Sequence, residues 1–372
     1  MWVRNMMILV LAFFAAGTAD ARGGGAAATV VVTAHDSAER SKAAADFIGD
    51  GTGDQEEINA AIRVLPETGG TVLLMEGTYD IRKVEGKLGG VLIERGNVTL
   101  AGQGAATRLV QAPQQETNVI RIIGSGLGHI TIRDLYVDAN RDQNPLGEGD
   151  ANVSHARFEF CGIKAYCQEP GGPGCEPHHD ITIENCYVLN ARRLGIMLEG
   201  RNMRVINNVL GNAFSDSVEI LTGPGEIRGN YVEITGKTHV AIGTDRADNV
   251  IMANNIVHVR EGGDIDIAFR SWADSQRHVI TGNIVTVDKG GKCGIAIDAR
   301  SYGAIVTGNH IHTANAESLL RVVIGAGKSI VAHNVFENVA VEVAGQTDTG
   351  NEILVRDYIL QDAVVRGPGV ET

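Results

Sequence analysis

The 372-residue sequence predicts an all-β solenoid of stacked coils. The first observation is a recurring phrase: an aliphatic residue, two variable residues, Asn, one further residue and a second apolar residue. It occurs six times between residues 205 and 336, with steps of 22 to 28 residues between the asparagines: Asn208, Asn230, Asn255, Asn283, Asn309 and Asn334. A unit of this length cannot bury a core alone, so neighbouring units must stack.

The second observation is a set of short apolar runs with a period of two, separated by Gly and Asn turns, which is typical of strands. We expect the Asn column to form an internal ladder of hydrogen bonds, with a structural role only. The absence of long segments with a 3.6-residue period excludes an all-α fold. The runs that open successive coils lie at 91–94, 119–123, 162–166, 195–199, 218–221, 240–243, 265–269, 294–298 and 319–324.

Composition supports the same fold class and narrows the partners. The chain has 47 Gly and only 5% aromatic residues, which favours tight turns and a thin aliphatic core. Its formal net charge of −13 argues against a nucleic-acid partner, which requires a basic face. An anionic polysaccharide stays open as a partner, because a local basic groove can lie on an acidic protein.

The N-terminus reads as a secretion signal over residues 1–21, with Arg4 before an apolar run and a small-x-small cleavage site at its end. The apolar run is too short to span a bilayer comfortably. We therefore expect an exported protein, secreted, periplasmic or at the cell surface, with no membrane span after cleavage. Residues 22–28 read as a flexible tether.

A short amphipathic helix is predicted near residues 54–65. Asp54 and Glu57 form a capping-box pattern at its start. Ile58, Ala61, Ile62 and Leu65 follow at helical spacing, so one face of the helix covers something apolar. A strand at 29–34 precedes the helix, and a strand, turn and second strand follow it at 69–81.

These N-terminal segments carry a resemblance. DFIGDGTGDQEEINAAI followed by GGTVLLMEGTY resembles the opening signature of the pectate-lyase-like right-handed parallel β-helix superfamily. The resemblance implies one single-stranded β-helix of about ten coils, whose open end is covered by the helix. It does not fix the reaction, because this superfamily includes lyases, hydrolases, epimerases and phage spikes. We expect a cap at 29–68, coils at 69–344 and a C-terminal cap at 345–372.

Two segments depart from the coil period, at 138–161 and 167–179. Long loops on a repeat scaffold often border a binding cleft, although they are also found as decorative insertions. The second segment holds Cys167 and Cys175, which can pair, with Cys161 as a competing partner. Cys186 occupies an Asn slot of the repeat and Cys293 begins a strand, so both are expected to be buried thiols. Five cysteines leave at least one outside an intramolecular pair.

Aligning the coils indicates which side chains can meet, because equivalent residues of stacked strands lie about 4.8 Å apart. With the opening strands aligned on Ile196, Val218, Val240, Ile267 and Ile295, the alignment gathers a set of charged side chains. Carboxylates with an imidazole can move protons at a glycosidic bond. Alternatively, the cation binds a uronic acid while the carboxylates hold Ca²⁺, or the set is a solvated polar face. The set comprises Asp216, Glu219, His239, Asp266 and Arg270.

Three segments, SDSVEI, THVAIG and IAFRS, also resemble polygalacturonase-type hydrolases in their order. The resemblance implies that Asp216 is an acidic catalytic residue, that His239 is the histidine and that Arg270 is the cation that holds substrate. Ser215 replaces an expected Asp and no Lys follows Arg270. A hydrolase needs two working carboxylates, so Glu219 or Asp266 would have to supply the second.

Other candidates are less specific. Glu176-Pro177-His178-His179-Asp180 partly resembles an Asp-Pro-His-Glu motif of alginate epimerases, and two His can bind a metal. Spacing identifies no third ligand, and a turn leading into the next strand is the alternative. Lys164, Arg192 and Arg193 are candidates for a groove that binds an anionic glycan, or for solvated surface charge. Trp272 is either a sugar-stacking aromatic or packed against the next coil.

Together these patterns predict an exported enzyme, a glycoside hydrolase or polysaccharide lyase, acting on uronic-acid-rich glycans. The sequence indicates no definite cofactor, and Ca²⁺ stays open if the enzyme is a lyase. The alternatives are a non-catalytic glycan-binding solenoid and a trimeric spike-like protein. The predicted catalytic residues are Asp216, Glu219, His239 and Asp266, and the predicted substrate-binding residues are Arg270, Lys164, Arg193 and Trp272.

Overall fold

The structure is a computed structural model that describes residues 28–145, 160–167, 174–272, 274–314, 320–325 and 329–343, with the strands at 354–356, 359–361 and 364–366. The expected signal peptide, residues 1–21, lies outside the described residues, as does the expected tether except for its last residue. In the described part of the chain, no helix is long and apolar enough to cross a membrane.

The chain forms a parallel β-helix, as predicted. Each coil contributes one strand to each of three faces, and every strand pairs in parallel with its equivalents in the coils before and after. We name these faces the groove face, the second face and the third face. The third face alone is an 11-stranded sheet, close to the expected ten coils.

The groove face consists of Gly89–Ile93, Asn118–Ile122, Ile163–Ala165, the first half of Ile196–Ile206, Asp216–Thr222, Lys237–Asp245, Asp264–Ser271, Lys292–Ala299, Leu320–Ile324, Val339–Val343 and Val364–Arg366. The second face consists of Thr29–Thr33, Phe47–Ile48, Gly70–Leu74, Val98–Ala101, Gly128–Arg133, His178–Glu184, the second half of Ile196–Ile206, Gly225–Arg228, Val250–Ala253, Val279–Thr281, Ile305–Thr307, Ile330–Ala332 and Leu354–Arg356. The third face consists of Gly77–Ile81, Thr107–Gln111, Tyr136–Asp138, Tyr187–Leu189, Val209–Gly211, Tyr231–Ile234, Ile256–Val259, Ile284–Val287, His310–Thr313, Val335–Glu337 and Ile359–Gln361.

The N-terminal cap contains two α-helices, Glu39–Lys42 and Gln55–Val64, the second of which is the predicted amphipathic helix. Its residues Ile58, Ala61 and Ile62 are buried against the first coils, because helical spacing places them on one face. The predicted capping box is wrong. Asp54 instead accepts hydrogen bonds from the backbone N–H groups of Gly51 and Asp80, each at 2.8 Å, and so ties the cap to the first coil.

The predicted Asn ladder is present inside the solenoid. Asn255 shows the pattern: its Oδ1 accepts hydrogen bonds from the backbone N–H and the side-chain amide of Asn230, both at 3.0 Å. Its own amide group donates to the Ile227 carbonyl at 2.9 Å and to Asn283 Oδ1 at 3.0 Å. The same pattern runs from Asn208 to Asn334, so each turn is hydrogen-bonded to the next one away from water.

The cysteines fall into two groups. Cys167 and Cys175 form a disulfide, which settles the open choice between Cys175 and Cys161 as partners. Cys186 and Cys293 are buried free thiols, and Cys161 is also buried. Cys186 lies at the start of the ladder, where its backbone N–H donates to Asn208 Oδ1 at 2.9 Å, so a small thiol ends the Asn column.

The last described strands continue the solenoid into the region expected to form a C-terminal cap. Leu354–Arg356 pairs with Ile330–Ala332, Ile359–Gln361 with Val335–Glu337, and Val364–Arg366 with Val339–Val343. The Asn phrase ends at Asn334, but parallel pairing does not end there.

Replacing Asn255 with Ala should lower the free energy of unfolding by about 3 kcal/mol, because buried donors and acceptors of three neighbouring residues lose their partner. Denaturant unfolding monitored by circular dichroism measures this change. Asn254→Gly is the matched control. Asn254 is the exposed, left-handed neighbour in the same turn (φ 55°), and the equivalent residues Gly229, Gly282 and Gly308 are already glycine. The control should change stability by less than about 0.5 kcal/mol. A similarly small loss in Asn255→Ala would show that the ladder does not stabilise the solenoid.

Candidate functional site

The groove face carries a column of outward side chains whose register differs from the predicted one. Val218 pairs with Ile242, and not with Val240 as the sequence alignment assumed. The next pairing sets Ile242 beside Phe269. The alignment also placed Ala241, Ala268 and Ala296 outward, whereas all three are fully buried. The correct register places Glu219, Gly243 and Arg270 in one column on three consecutive coils.

Arg270 bridges two buried carboxylates. Its Nη2 atom donates to Asp216 Oδ2 and to Glu219 Oε1, each at 2.7 Å. The side chains are 13%, 4% and 7% exposed for Arg270, Asp216 and Glu219, so water screens this cluster little. Because both oxygens bind the same nitrogen, they can be no further apart than twice this distance.

Gly243 leaves room for the contact between Arg270 and Glu219, which lie two coils apart. Strands two coils apart are separated by about 9.6 Å, twice the usual spacing, so Arg270 must reach over the intervening coil. A Cβ atom at position 243 would lie 3.2 Å from Asp216 Oδ2 and 3.3 Å from Arg270 Nε. The missing side chain is therefore what leaves room for the guanidinium.

The two carboxyl groups of the cluster lie in different electrostatic environments. Burial raises the pKa of Glu219 to about 8, the nearby charge of Asp216 adds to the rise, and Arg270 opposes it. Asp216 accepts a second hydrogen bond at its other oxygen, from Ser215 Oγ at 2.8 Å. Glu219 therefore keeps its proton at neutral pH, next to an ion-paired and hydrogen-bonded carboxylate.

The cluster forms the floor of an open cleft of about 410 Å³. Trp272 is 47% exposed on its wall, and the Arg270 guanidinium carbon lies 5.1 Å from the centre of the indole ring. A protruding ring beside buried acid and base groups is suited to a ligand with both apolar and hydroxyl-bearing faces. The cleft is lined by Ser215, Asp216, Glu219, Asp245, Arg246, Arg270, Trp272 and Asp274.

Asp245, Arg246 and Asp274 were missed by the sequence analysis. The corrected register shows the signal for Asp245: it pairs with Leu221 and lies two positions beyond Gly243, on the same outward side as Glu219. The incorrect alignment at Val240 shifted this strand by two residues, so the sequence analysis did not place Asp245 near Glu219. Arg246 and Asp274 lie in turns after the strands, where strand register carries no information.

His239 and Asp266, two of the predicted catalytic residues, form a separate exposed cluster outside the residues that line the cleft. His239 Nδ1 hydrogen-bonds Asp266 Oδ2, and Lys237 Nζ contacts the other oxygen of Asp266. Burial pushes the pKa of Asp266 upward, but the hydrogen bonds from Lys237 and His239 outweigh it, and the pKa is lowered. Both side chains are nearly half exposed, so this cluster is an ordinary surface network.

Lys164 and Arg193, predicted to bind substrate, do not line the cleft either. Lys164 is 2% exposed, and its ammonium group lies 5.3 Å from the centre of the Tyr166 ring. Arg193 is 9% exposed. Of the eight predicted site residues, the cleft therefore contains Asp216, Glu219, Arg270 and Trp272.

Comparison with known proteins agrees with this architecture. The family described as the right-handed β-helix region matches residues 174–357. The chain has the right-handed parallel β-helix fold. The match covers the coils that contain the Asn ladder and the cleft. No curated protein sequence matches the chain.

Solved structures show the same β-helix. The A-module of the Azotobacter vinelandii mannuronan C-5 epimerase AlgE6 superimposes with a TM-score of 0.53 at 18% identity, covering 86% of this chain and 97% of that chain. DFA-IIIase from Arthrobacter chlorophenolicus A6 gives 0.56 at 11% identity, over 91% and 87%. The enzymatically active domain of bacteriophage CBA120 tailspike protein 2 gives 0.51 at 14% identity, over 83% of this chain and 44% of that chain. At these identities the likeness concerns the fold.

The buried Glu219 predicts a specific pH dependence of stability. Below the ordinary glutamate pKa of 4.5 the folded and unfolded chains both hold this proton. As pH rises towards about 8, the unfolded chain loses the proton while the folded chain keeps it, so the free energy of unfolding falls.

Glu219→Gln removes this titration. The variant should match the wild type at acid pH and become more stable than the wild type as pH rises, as measured by urea unfolding across this range. Glu261→Gln, at an exposed carboxylate, is the control and should follow the wild type at every pH. A Glu219→Gln protein that loses stability relative to the wild type at alkaline pH would show that the folded state binds the ionised carboxylate.

Proposed function

We propose that this protein is a polysaccharide-active enzyme, and that the cleft on its groove face hydrolyses glycosidic bonds. The observation that carries the proposal is the pair of buried carboxyl groups, Glu219 and Asp216, which Arg270 bridges at the floor of a cleft beside an exposed Trp. Glycoside hydrolysis uses two carboxyl groups with different proton affinities, one of them raised by burial.

Each residue has a role that follows from its surroundings. Glu219 donates its proton to the oxygen of the leaving sugar. The resulting carboxylate is stabilised by Arg270 Nη2, which already lies 2.7 Å from Oε1. Asp216, held in position by Ser215 and Arg270, attacks the anomeric carbon as the leaving sugar departs, a role that its close spacing to Glu219 favours. Water, deprotonated by Glu219, then releases the sugar from Asp216 and restores both carboxyl groups. Trp272 provides a flat surface for a sugar ring.

The cleft also favours a class of substrate. Arg246 is 54% exposed at its rim and contacts Asp245 at 3.5 Å, a contact that an acidic sugar can replace. We therefore propose uronic-acid-containing polysaccharides as the substrate class. The name of one similar structure, a mannuronan C-5 epimerase, supports glycan chemistry on this fold.

We also propose that the protein is exported. The pattern of residues 1–21 is that of a secretion signal. The disulfide between Cys167 and Cys175 supports an oxidising compartment, because such bonds are rare in the cytosol.

Incubation with pectin, alginate and glycosaminoglycans, with and without Ca²⁺, tests the reaction. Hydrolysis predicts new reducing ends without the ultraviolet absorbance of an unsaturated product. Glu219→Gln and Asp216→Asn should each reduce turnover at least about 100-fold, because general acid–base catalysis contributes this much. Arg270→Ala should abolish activity, because it leaves both buried carboxyl groups without their cation.

His239→Ala is the control, since its side chain lies outside the cleft, and it should retain turnover. Full turnover in Glu219→Gln and Asp216→Asn would show that this cleft is not the active site. An unsaturated product would indicate a lyase. Saturable glycan binding with no product would indicate a binding protein, and a stable trimer by light scattering would favour a spike-like assembly.

The raised pKa of Glu219 sets the alkaline limit of activity. A general acid works only while it holds its proton, so turnover should fall as pH rises past about 8. The pH profile of kcat/KM measures this limit, because it reports the pKa values of the free enzyme. An activity that keeps rising above that pH would contradict the role of Glu219 as the acid.

A further inference from the structure

A second cluster of functional side chains lies on the second face, outside the cleft. His179 Nδ1 lies 2.8 Å from Asp180 Oδ2, and His129 Nδ1 lies 3.8 Å from the same oxygen. One ligand atom from each of the three residues falls within 4.8 Å of the others. The sequence analysis considered His178 and His179 as a two-histidine pair without a third ligand. His178 is fully buried and is not part of this cluster, and His129 belongs to the preceding coil.

The stacking of the coils brings these residues together. Gly128–Arg133 pairs with His178–Glu184, with Gly128 opposite His179 and Ile130 opposite Ile181. His129 and Asp180 therefore occupy the same position in successive coils, where the backbone is left-handed (φ 57° and 53°). Asn97 and Asn202 hold this position in the flanking coils, also with positive φ. Asn, Asp and His are the residues with a side chain that adopt this conformation most readily, so His129 and Asp180 can bring metal-binding groups to a turn position.

Two further features orient the ligands. The His179 ring lies over Gly128, where an added Cβ would come within 2.1 Å of His179 Cε1. Because Gly128 has no side chain, the imidazole of His179 has room to lie against it. Asn202 donates its amide hydrogen bond to Asp180 Oδ1, which leaves Oδ2 facing the two histidines. Outer hydrogen bonds of this kind commonly orient metal-binding carboxylates.

We propose that His129, His179 and Asp180 bind a divalent transition-metal ion of the zinc class. Two imidazoles and one carboxylate form a three-ligand set that leaves a position for water, and nitrogen ligands disfavour Ca²⁺ and Mg²⁺. Ligand atoms around four-coordinate Zn²⁺ are about 3.3 Å apart, for bonds of about 2.0 Å. The contacts of 2.8 and 3.8 Å bracket this spacing, and the 64% exposed His129 side chain has room to adjust.

The position of the site implies a structural role. The ion joins two coils that are adjacent in space but separated in sequence by both irregular segments, 138–161 and 167–179. Binding to the folded chain stabilises it in proportion to the logarithm of metal concentration over Kd. The site thus acts as a cross-link between the coils on either side of the insertions, and it does not depend on the reaction proposed for the cleft.

Isothermal titration of the chelator-treated protein, without a polyhistidine tag, with ZnCl₂ tests the proposal. One Zn²⁺ should bind per chain and raise the melting temperature, whereas Ca²⁺ should do neither. His129→Ala and His179→Ala should each weaken binding by about 100-fold or more. Gly128→Ala, which keeps all three ligands but displaces the His179 ring, should weaken it by about 10-fold or more, the effect of an outer-shell change.

His310→Ala is the matched control. His310 is an exposed histidine on the third face, bonded to Glu337, and its loss should leave Zn²⁺ affinity unchanged. Melting curves without metal show whether each variant is folded. The proposal is overturned if the wild type does not bind Zn²⁺, or if folded His129→Ala binds it as tightly as the wild type.

Discussion

The buried ladder of Asn amides is the interaction on which the rest of the structure depends. Apolar contacts inside a solenoid are tolerant of sliding, because one aliphatic side chain packs against another at many offsets. An amide that donates to one coil and accepts from the next permits only one register, since any slip would leave several buried polar groups without partners. The ladder from Asn208 to Asn334 thus specifies which residues face each other on all three faces.

The same property explains what could be predicted from the sequence. The ladder, the capping helix and the stacked strands follow from local patterns and were all predicted correctly. The cleft was predicted only in part. Which side chains meet there depends on how the residues between two ladder asparagines are divided among strands and turns. Asn208 to Asn230 spans 22 residues and Asn230 to Asn255 spans 25, and the sequence does not show which turn holds the extra residues. Assigning them to the wrong turn shifted one strand by two positions, hid Asp245 and placed His239 in the site.

The sequence analysis missed His129 for a related reason. The strands Gly128–Arg133 and His178–Glu184 pair although His129 and Asp180 are 51 residues apart in sequence. This is about twice the step of 22 to 28 residues between ladder asparagines, so the repeat period does not predict the pairing. Reasoning within one segment paired His179 with its neighbour His178, which is buried outside the cluster. His129 and Asp180 are recognised as the partners of His179 only when the coils are superimposed.

The lack of a side chain at Gly243 affects how the length of the groove can change. Glu219 and Arg270 meet over one residue without a side chain, so the charged cluster occupies only three consecutive coils. A coil added or lost further along the solenoid would lengthen or shorten the groove by about 4.8 Å and leave these contacts in place. Under the proposed function, the length of polymer held in the groove and the chemistry at its centre could therefore vary separately.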